Sequence, residues 1–191
     1  PTVTCGIQGG NVDSVFSVEP GTGNVVVHTA GLLDFERKQS YTLNIRALDS
    51  RTGLVGFGAV IVNIKDENDA PRFINVGDNQ DGSGGLYLVQ ENSGKGTAVG
   101  PALQAEDPDA GDSLTFAVTS GNGPIATPTF SFSATSPGQL VVDRIPGSQG
   151  SIDYEQTSTY KLGVSVTDAA GAKATTQIEV NVVDVNERPA F

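Results

Sequence analysis

The sequence holds one cysteine, one histidine and no tryptophan. A single thiol, Cys5, makes no internal disulfide and builds no zinc site. It reads as a small buried residue, or as half of a bridge to a segment outside this sequence. The lone histidine, His28, ends the apolar run Asn24-Val25-Val26-Val27 and reads as a strand residue, because no partner for catalysis or metal binding accompanies it. Bases are scarce: 11 Lys plus Arg stand against 22 Asp plus Glu, a formal charge of −11. That balance repels phosphates, so it excludes nucleic acid and admits cations. No run approaches the roughly 18 apolar residues of a membrane-spanning helix. No Asn-X-Ser/Thr sequon occurs. The first residue is Pro and no signal peptide is visible, which reads as a mature or excised piece of something longer.

What the chain does hold is glycine (24), proline (10) and many short Val-, Ile- and Thr-rich runs. That composition favours strands and turns. The chain also repeats itself. Asp34-Phe35-Glu36 returns as Asp153-Tyr154-Glu155, and Tyr41 to Ala47 returns as Tyr160 to Val166, both 119 residues on. Asp49 returns as Asp168 at the same spacing, and Asp66-Glu67-Asn68-Asp69 as Asp184-Val185-Asn186-Glu187 at 118. Such a period suits one sandwich domain per repeat. Within it, Tyr41, Leu43, Ile45 and Ala47 alternate with polar residues, and Val60, Val62 and Ile64 take every second place of the next strand, which places both sets inward. Leu162, Val164 and Val166, then Ile178, Val180 and Val182, repeat the pattern. Turn clusters such as Pro20 to Gly23 and Ser50 to Gly53 separate these runs. The expected fold is all-β: two tandem antiparallel Greek-key sandwiches.

The two copies are unequal. Residues 74–152 hold about 40 residues with no counterpart in residues 1–33. The expected domains are 1–73, a repeat entered at its third strand (Val3 to Ile7) with its linker, and 74–191, a complete repeat with the linker that follows. A sandwich without its first strands exposes an apolar face and an open edge. Either the same polypeptide fills that gap or another chain donates strands. Ile74 to Gly85 reads as a flexible surface loop. Residues 127–137 read as a plain strand and loop, with O-linked sugar as the alternative.

The repeated landmarks are largely acidic and fall at strand ends and in the linker. Core packing does not account for them, since unpaired carboxylates are expelled from cores. Hard divalent cations do: calcium takes 6–8 oxygens from carboxylates, Asn side chains and carbonyls. Along an extended chain i and i+2 point the same way, so Asp-X-Asp grips one ion or two neighbours.

Asp66-Glu67-Asn68-Asp69-Ala70-Pro71 resembles the linker between cadherin repeats. Leu33-Asp34-Phe35-Glu36, Gln90-Glu91-Asn92, Ala105-Glu106-Asp107-Pro108-Asp109-Ala110-Gly111, Ala47-Leu48-Asp49 and Val166-Thr167-Asp168 resemble further motifs of that family, in its order. The resemblance implies immunoglobulin-like sandwiches of cadherin type and calcium at the junction. Carried over, the ligands are Asp34, Glu36, Asp66, the carbonyl of Glu67, Asn68, Asp69, the carbonyl of Ala70, Asp107, Asp109 and Asp168. The ion held by Asn68, Asp107, Asp109 and Asp168 depends least on the strands the first repeat lacks. Weaker half-sites follow: Glu91, Asp153, Glu155, Asp184, Asn186 and Glu187 toward a later repeat, and Asp49 toward an earlier one.

The family further implies an extracellular, calcium-dependent adhesion or stalk module of a membrane-anchored parent, with other repeats of the same protein and a homophilic or heterophilic protein as partners. A structural repeat of a secreted filament or matrix, with strands donated by a neighbouring chain, is the alternative. An enzyme is not expected, because paired acids that recur with the domain period do not describe one active site. The missing tryptophan excludes adhesion by exchange of a Trp-bearing strand within this piece.

Overall fold

In a computed structural model the described residues are 3–74, 76, 86–123, 128–144 and 152–187. Most of the expected 74–85 loop, the start of the 127–137 segment and the closing Arg188 to Phe191 lie outside them. The chain divides into two compact units, Pro1–Glu67 and Asn68–Phe191.

The first unit is built on a hairpin. β4 (Ser40–Asp49) and β5 (Val55–Asn63) pair antiparallel, with Tyr41 opposite Val62 and Leu43 opposite Val60. The other edge of β4 takes β1 (Val3–Gly9), with Cys5 opposite Ala47 and Ile7 opposite Ile45. β2 (Phe16–Val18) and β3 (Val25–Val27) form a second, two-stranded sheet. Burying Tyr41 and Leu43 against Val15 and Phe16 makes the core, each large side chain contributing about 1.5–3 kcal/mol. The Phe16 and Tyr41 rings meet edge to face, centroids 5.0 Å apart, the arrangement their quadrupoles favour. A glycine–asparagine pair sets the entry to β2. Gly10 has φ +81°, and a Cβ there would lie 1.8 Å from the Thr42 carbonyl oxygen, so only glycine fits. Asn11 donates from Nδ2 to the Phe16 carbonyl at 2.7 Å and accepts from the Phe16 N–H at 2.9 Å.

The second unit repeats these devices and adds to them. Its strands begin with β6 (Arg72–Phe73), β7 (Tyr87–Gln90), β8 (Ala105–Glu106) and β9 (Thr115–Ser120). β10 (Phe130–Phe132), β11 (Leu140–Val142), β12 (Thr159–Thr167) and β13 (Lys173–Val183) complete them. The hairpin β12–β13 has Tyr160 opposite Val180, matching Tyr41 opposite Val62. The sheet order is β7-β13-β12-β9, and β10–β11 and β6–β8 form two further pairs. Gly121 has φ +74° and a Cβ there would lie 1.9 Å from the Lys161 carbonyl oxygen. Asn122 bonds the Phe130 backbone both ways at 2.7 Å, and Phe130 meets Tyr160 edge to face at 5.1 Å. The core is larger, with Phe130, Leu140, Ile152, Leu162, Val164 and Val180 fully buried.

Both units are thus all-β, of immunoglobulin-like sandwich type, and among the described residues the first has fewer strands. Two details depart from expectation. Not every pair is antiparallel: β7 runs parallel to β13, with Tyr87 opposite Val180 and Val89 opposite Val182. A unit whose chain enters at one end and leaves at the other needs its first and last strands to point the same way. Val60 faces inward but is exposed, because among the described residues the first unit has no counterpart of β6, β7 and β8 to cover it. Cys5 is half-buried and free.

Candidate metal centre

At one end of the second unit, three segments converge. Asp107 follows β8, Asp168 follows β12, and Asn68 and Asp69 precede β6. Asn68 donates from Nδ2 to Asp168 Oδ2 and to the Asp69 carbonyl, both at 2.8 Å. The Asp69 N–H donates to Asp109 Oδ2 at 2.9 Å, and the Asp109 N–H to Asp107 Oδ1 at 3.0 Å. Asp168 is buried, and its Oδ1 accepts from the N–H groups of Gly171 (2.6 Å) and Ala172 (2.8 Å). The Asn68 amide, aided by those backbone donors, holds the Asp168 carboxyl below its ordinary value against the opposing effect of burial.

Carboxylate oxygens of Asp107, Asp112 and Asp168 lie within 4.8 Å of one another. Asp107 Oδ2 is buried and has no hydrogen-bond partner. A carboxylate oxygen in that position is costly unless a proton, water or cation meets it. The donor set is all oxygen, which suits a hard cation and not zinc or copper.

A second group closes the opposite end of this unit. Glu91, 3 % exposed, follows β7. It accepts from the Tyr154 N–H through Oε2 at 2.9 Å and from the Val185 N–H through Oε1 at 2.6 Å. These two backbone donors hold its carboxyl below the ordinary value. Glu91, Asp153 and Glu155 bring carboxylate oxygens within 4.8 Å of one another. Glu155 is pulled down by its own backbone N–H, but desolvation and the charges of Glu91, Asp184 and Glu187 outweigh this and raise it. Asn92 donates to Glu187 Oε1 at 2.8 Å. Asp184 and Asn186 are exposed just beyond β13.

In the first unit, Asp34 and Glu36 sit in the turn before β4, and Asp66 follows β5. Glu36 and Asp66 bring carboxylate oxygens within 4.8 Å. Asp34 accepts from the Arg37 N–H at 2.7 Å, the same turn that Asp153 makes with Gln156 at 3.0 Å. Asp49 accepts from the Arg51 N–H at 2.9 Å, which lowers its carboxyl. Glu67 and Ala70, expected to act through their carbonyls, are exposed.

The structure therefore brings together Asn68, Asp69, Asp107, Asp109 and Asp168, and separately Glu91, Asp153 and Glu155. Sequence reasoning missed Asp112. Its signal was a third carboxylate just past Asp107-X-Asp109 and the turn glycine Gly111.

These features have counterparts elsewhere. The family model "Cadherin domain" matches residues 2–65. Mouse cadherin-24 is 33 % identical over 193 residues, covering 92 % of this chain and 22 % of its own length. The chain belongs to the cadherin repeat family. Mouse cadherin EGF LAG seven-pass G-type receptor 2 is 34 % identical over 184 residues, covering 94 % of this chain and 6 % of the receptor. The solved cis-dimer structure of protocadherin gammaB7 EC3-6 matches with a TM-score of 0.62 and 29 % identity, over 98 % of this chain and 41 % of that one. The chain thus spans less than a quarter of the length of these curated relatives. No helix among the described residues is long and apolar enough to cross a membrane.

Proposed function

We propose that this chain is a calcium-binding segment of an extracellular adhesion or stalk protein, made of successive repeats at 1–73 and 74–191, in which calcium stiffens the connection between them. The observation that carries this reading is the buried, partnerless Oδ2 of Asp107 beside Asp112 and Asp168. Asn68, Asp107, Asp109 and Asp168, joined by Asp112, would hold one ion. Asp34, Glu36, Asp66, Asp69 and the carbonyls of Glu67 and Ala70 supply further oxygens. Glu91, Asp153, Glu155, Asp184, Asn186 and Glu187 form a half-site toward a later repeat, and Asp49 toward an earlier one. Bound calcium supplies positive charge and room for 6–8 oxygens. Without it the Asp66–Asp69 stretch carries mutually repelling carboxylates on a short connection. Binding free energy thereby becomes stiffness. The partners are other repeats of the parent protein. An extracellular setting fits, because sites in extracellular modules are of modest affinity.

Calcium titration followed by small-angle scattering tests this. The expected particle is extended and stiff with calcium, bent and flexible with chelator; an unchanged profile sinks the reading. Asp109→Ala should weaken calcium binding and leave each unit folded, whereas global unfolding would make Asp109 a core residue.

One observation favours a second reading, a secreted filament repeat completed by a neighbour's strand: the β5 edge is open where β13 takes β7. A transmembrane segment in the full-length protein would exclude it. A hydrolase reading has no such support, since the grouped acids recur with the domain period.

A further inference from the structure

β5 and β13 occupy the same place in their units, yet their solvent faces differ in kind. On β13 that face carries Lys173, Thr175, Gln177 and Glu179; on β5 the matching positions are Val55, Phe57, Ala59 and Ile61. The register fixes the correspondence. Phe57 lies opposite Arg46 and Ile61 opposite Thr42, as Thr175 lies opposite Ser165 and Glu179 opposite Lys161. Thr42, Arg46, Phe57 and Ile61 point away from the core face of Tyr41 and Leu43. Phe57 is 77 % exposed and Ile61 67 %. Absent strands do not account for this stripe, because they would cover the opposite face and the edge. A one-sided antiparallel sheet ordinarily keeps its wet face polar, as β13 does, and a contiguous exposed apolar stripe marks a contact surface.

We propose that the solvent face of the β1–β4–β5 sheet docks a second copy of this chain, with Phe57 and Ile61 as its anchors. Charge selects the occupant. The molecule carries −11 overall, but within these three strands the only ionisable side chain on this face is Arg46. A basic partner finds no carboxylate here, and an acidic one finds a single cation. Two copies meeting through this face bring no carboxylates together, whereas contact elsewhere sets acid against acid. A two-fold axis lays the stripe on itself, as closed dimers require. Three strands of about nine residues offer roughly 400 Å² per copy. A total near 800 Å² lies below the standard range, so the dimer is weak.

This inference does not rest on the calcium reading, since Phe57, Ile61 and Arg46 are not among the residues proposed to hold an ion. Sedimentation of the whole chain from about 1 µM to about 1 mM should show a monomer–dimer equilibrium. Phe57→Thr with Ile61→Glu, the residues β13 itself carries, should weaken it at least about tenfold with an unchanged circular dichroism spectrum. Phe57→Ser alone should weaken it about threefold or more. Asn63→Pro is the control for edge-to-edge pairing. The Ile64 N–H bonds to the Gln39 carbonyl, so by alternation the Asn63 N–H faces the open edge, and its loss should leave association unchanged. Dimerisation should persist in calcium and in chelator alike. A chain monomeric throughout, an undiminished double variant, loss with Asn63→Pro, or loss on chelation would each overturn the inference; none of them bears on whether calcium stiffens the connection.

Discussion

The hairpins β4–β5 and β12–β13 share a register, an edge-on aromatic pair and a glycine–asparagine pair, and they differ in what surrounds them. Val164, Val166 and Val180 are fully buried, while Val60, in the place of Ile178, is exposed. The hairpin is therefore a local product of alternation and turn chemistry, and burial depends on strands that, among the described residues, only the second unit has. Leu43 and Leu162 stand at the same position and are both fully buried, which makes them a direct test. Leu162→Ala should cost about 4 kcal/mol, because its cavity has no way to collapse. Leu43→Ala should cost nearer 2 kcal/mol, because its neighbours on β5 are free to settle. Chemical denaturation reads both, and equal losses would break the comparison.

The shared devices give a smaller and opposite expectation. Gly10→Ala and Gly121→Ala drive a Cβ into a backbone carbonyl at 1.8 and 1.9 Å and each should cost about 2–3 kcal/mol. Hydrogen exchange should confine each loss to its own unit. A loss in one unit only would mean that the two turns are not equivalent.

Glu91 has no counterpart in the first unit, and its removal should separate the units further. Glu91→Ala strips the acceptor from the Tyr154 and Val185 N–H groups, and their exchange should quicken about tenfold, with β4–β5 untouched. The Glu91 carboxyl is held below its ordinary value, so its stabilisation is present at neutral pH and fades as the pH falls through that lowered value. Acid melting in chelator checks the direction.

Much of this was legible in the residues. The alternation of Tyr41, Leu43 and Ile45 marked β4, and Asp153-Tyr154-Glu155 marked the turn that Glu91 holds. Three things were not. Gly10-Asn11 recurs as Gly121-Asn122 at a spacing of 111, because the loops that follow differ in length, so a search at 119 passes over it. β7 pairs with residues some 90 positions away, and a parallel partner at that distance leaves no local mark. The stretch Val55 to Asn63 is apolar on both faces, so reading Val60, Val62 and Ile64 as an alternating inward set passes over the exposed stripe of Phe57 and Ile61 on the other face.

The parallel pairing of β7 with β13 has a consequence for load. Force applied along the chain pulls the start of β7 one way and the end of β13 the other, because the two strands point in one direction. The bonds from Tyr87 to Gln90 then lie in shear and must fail together, whereas a hairpin pulled at its open end peels apart one bond at a time. Under tension the lifetime of the second unit is set by that rupture barrier, and its equilibrium stability says little about it.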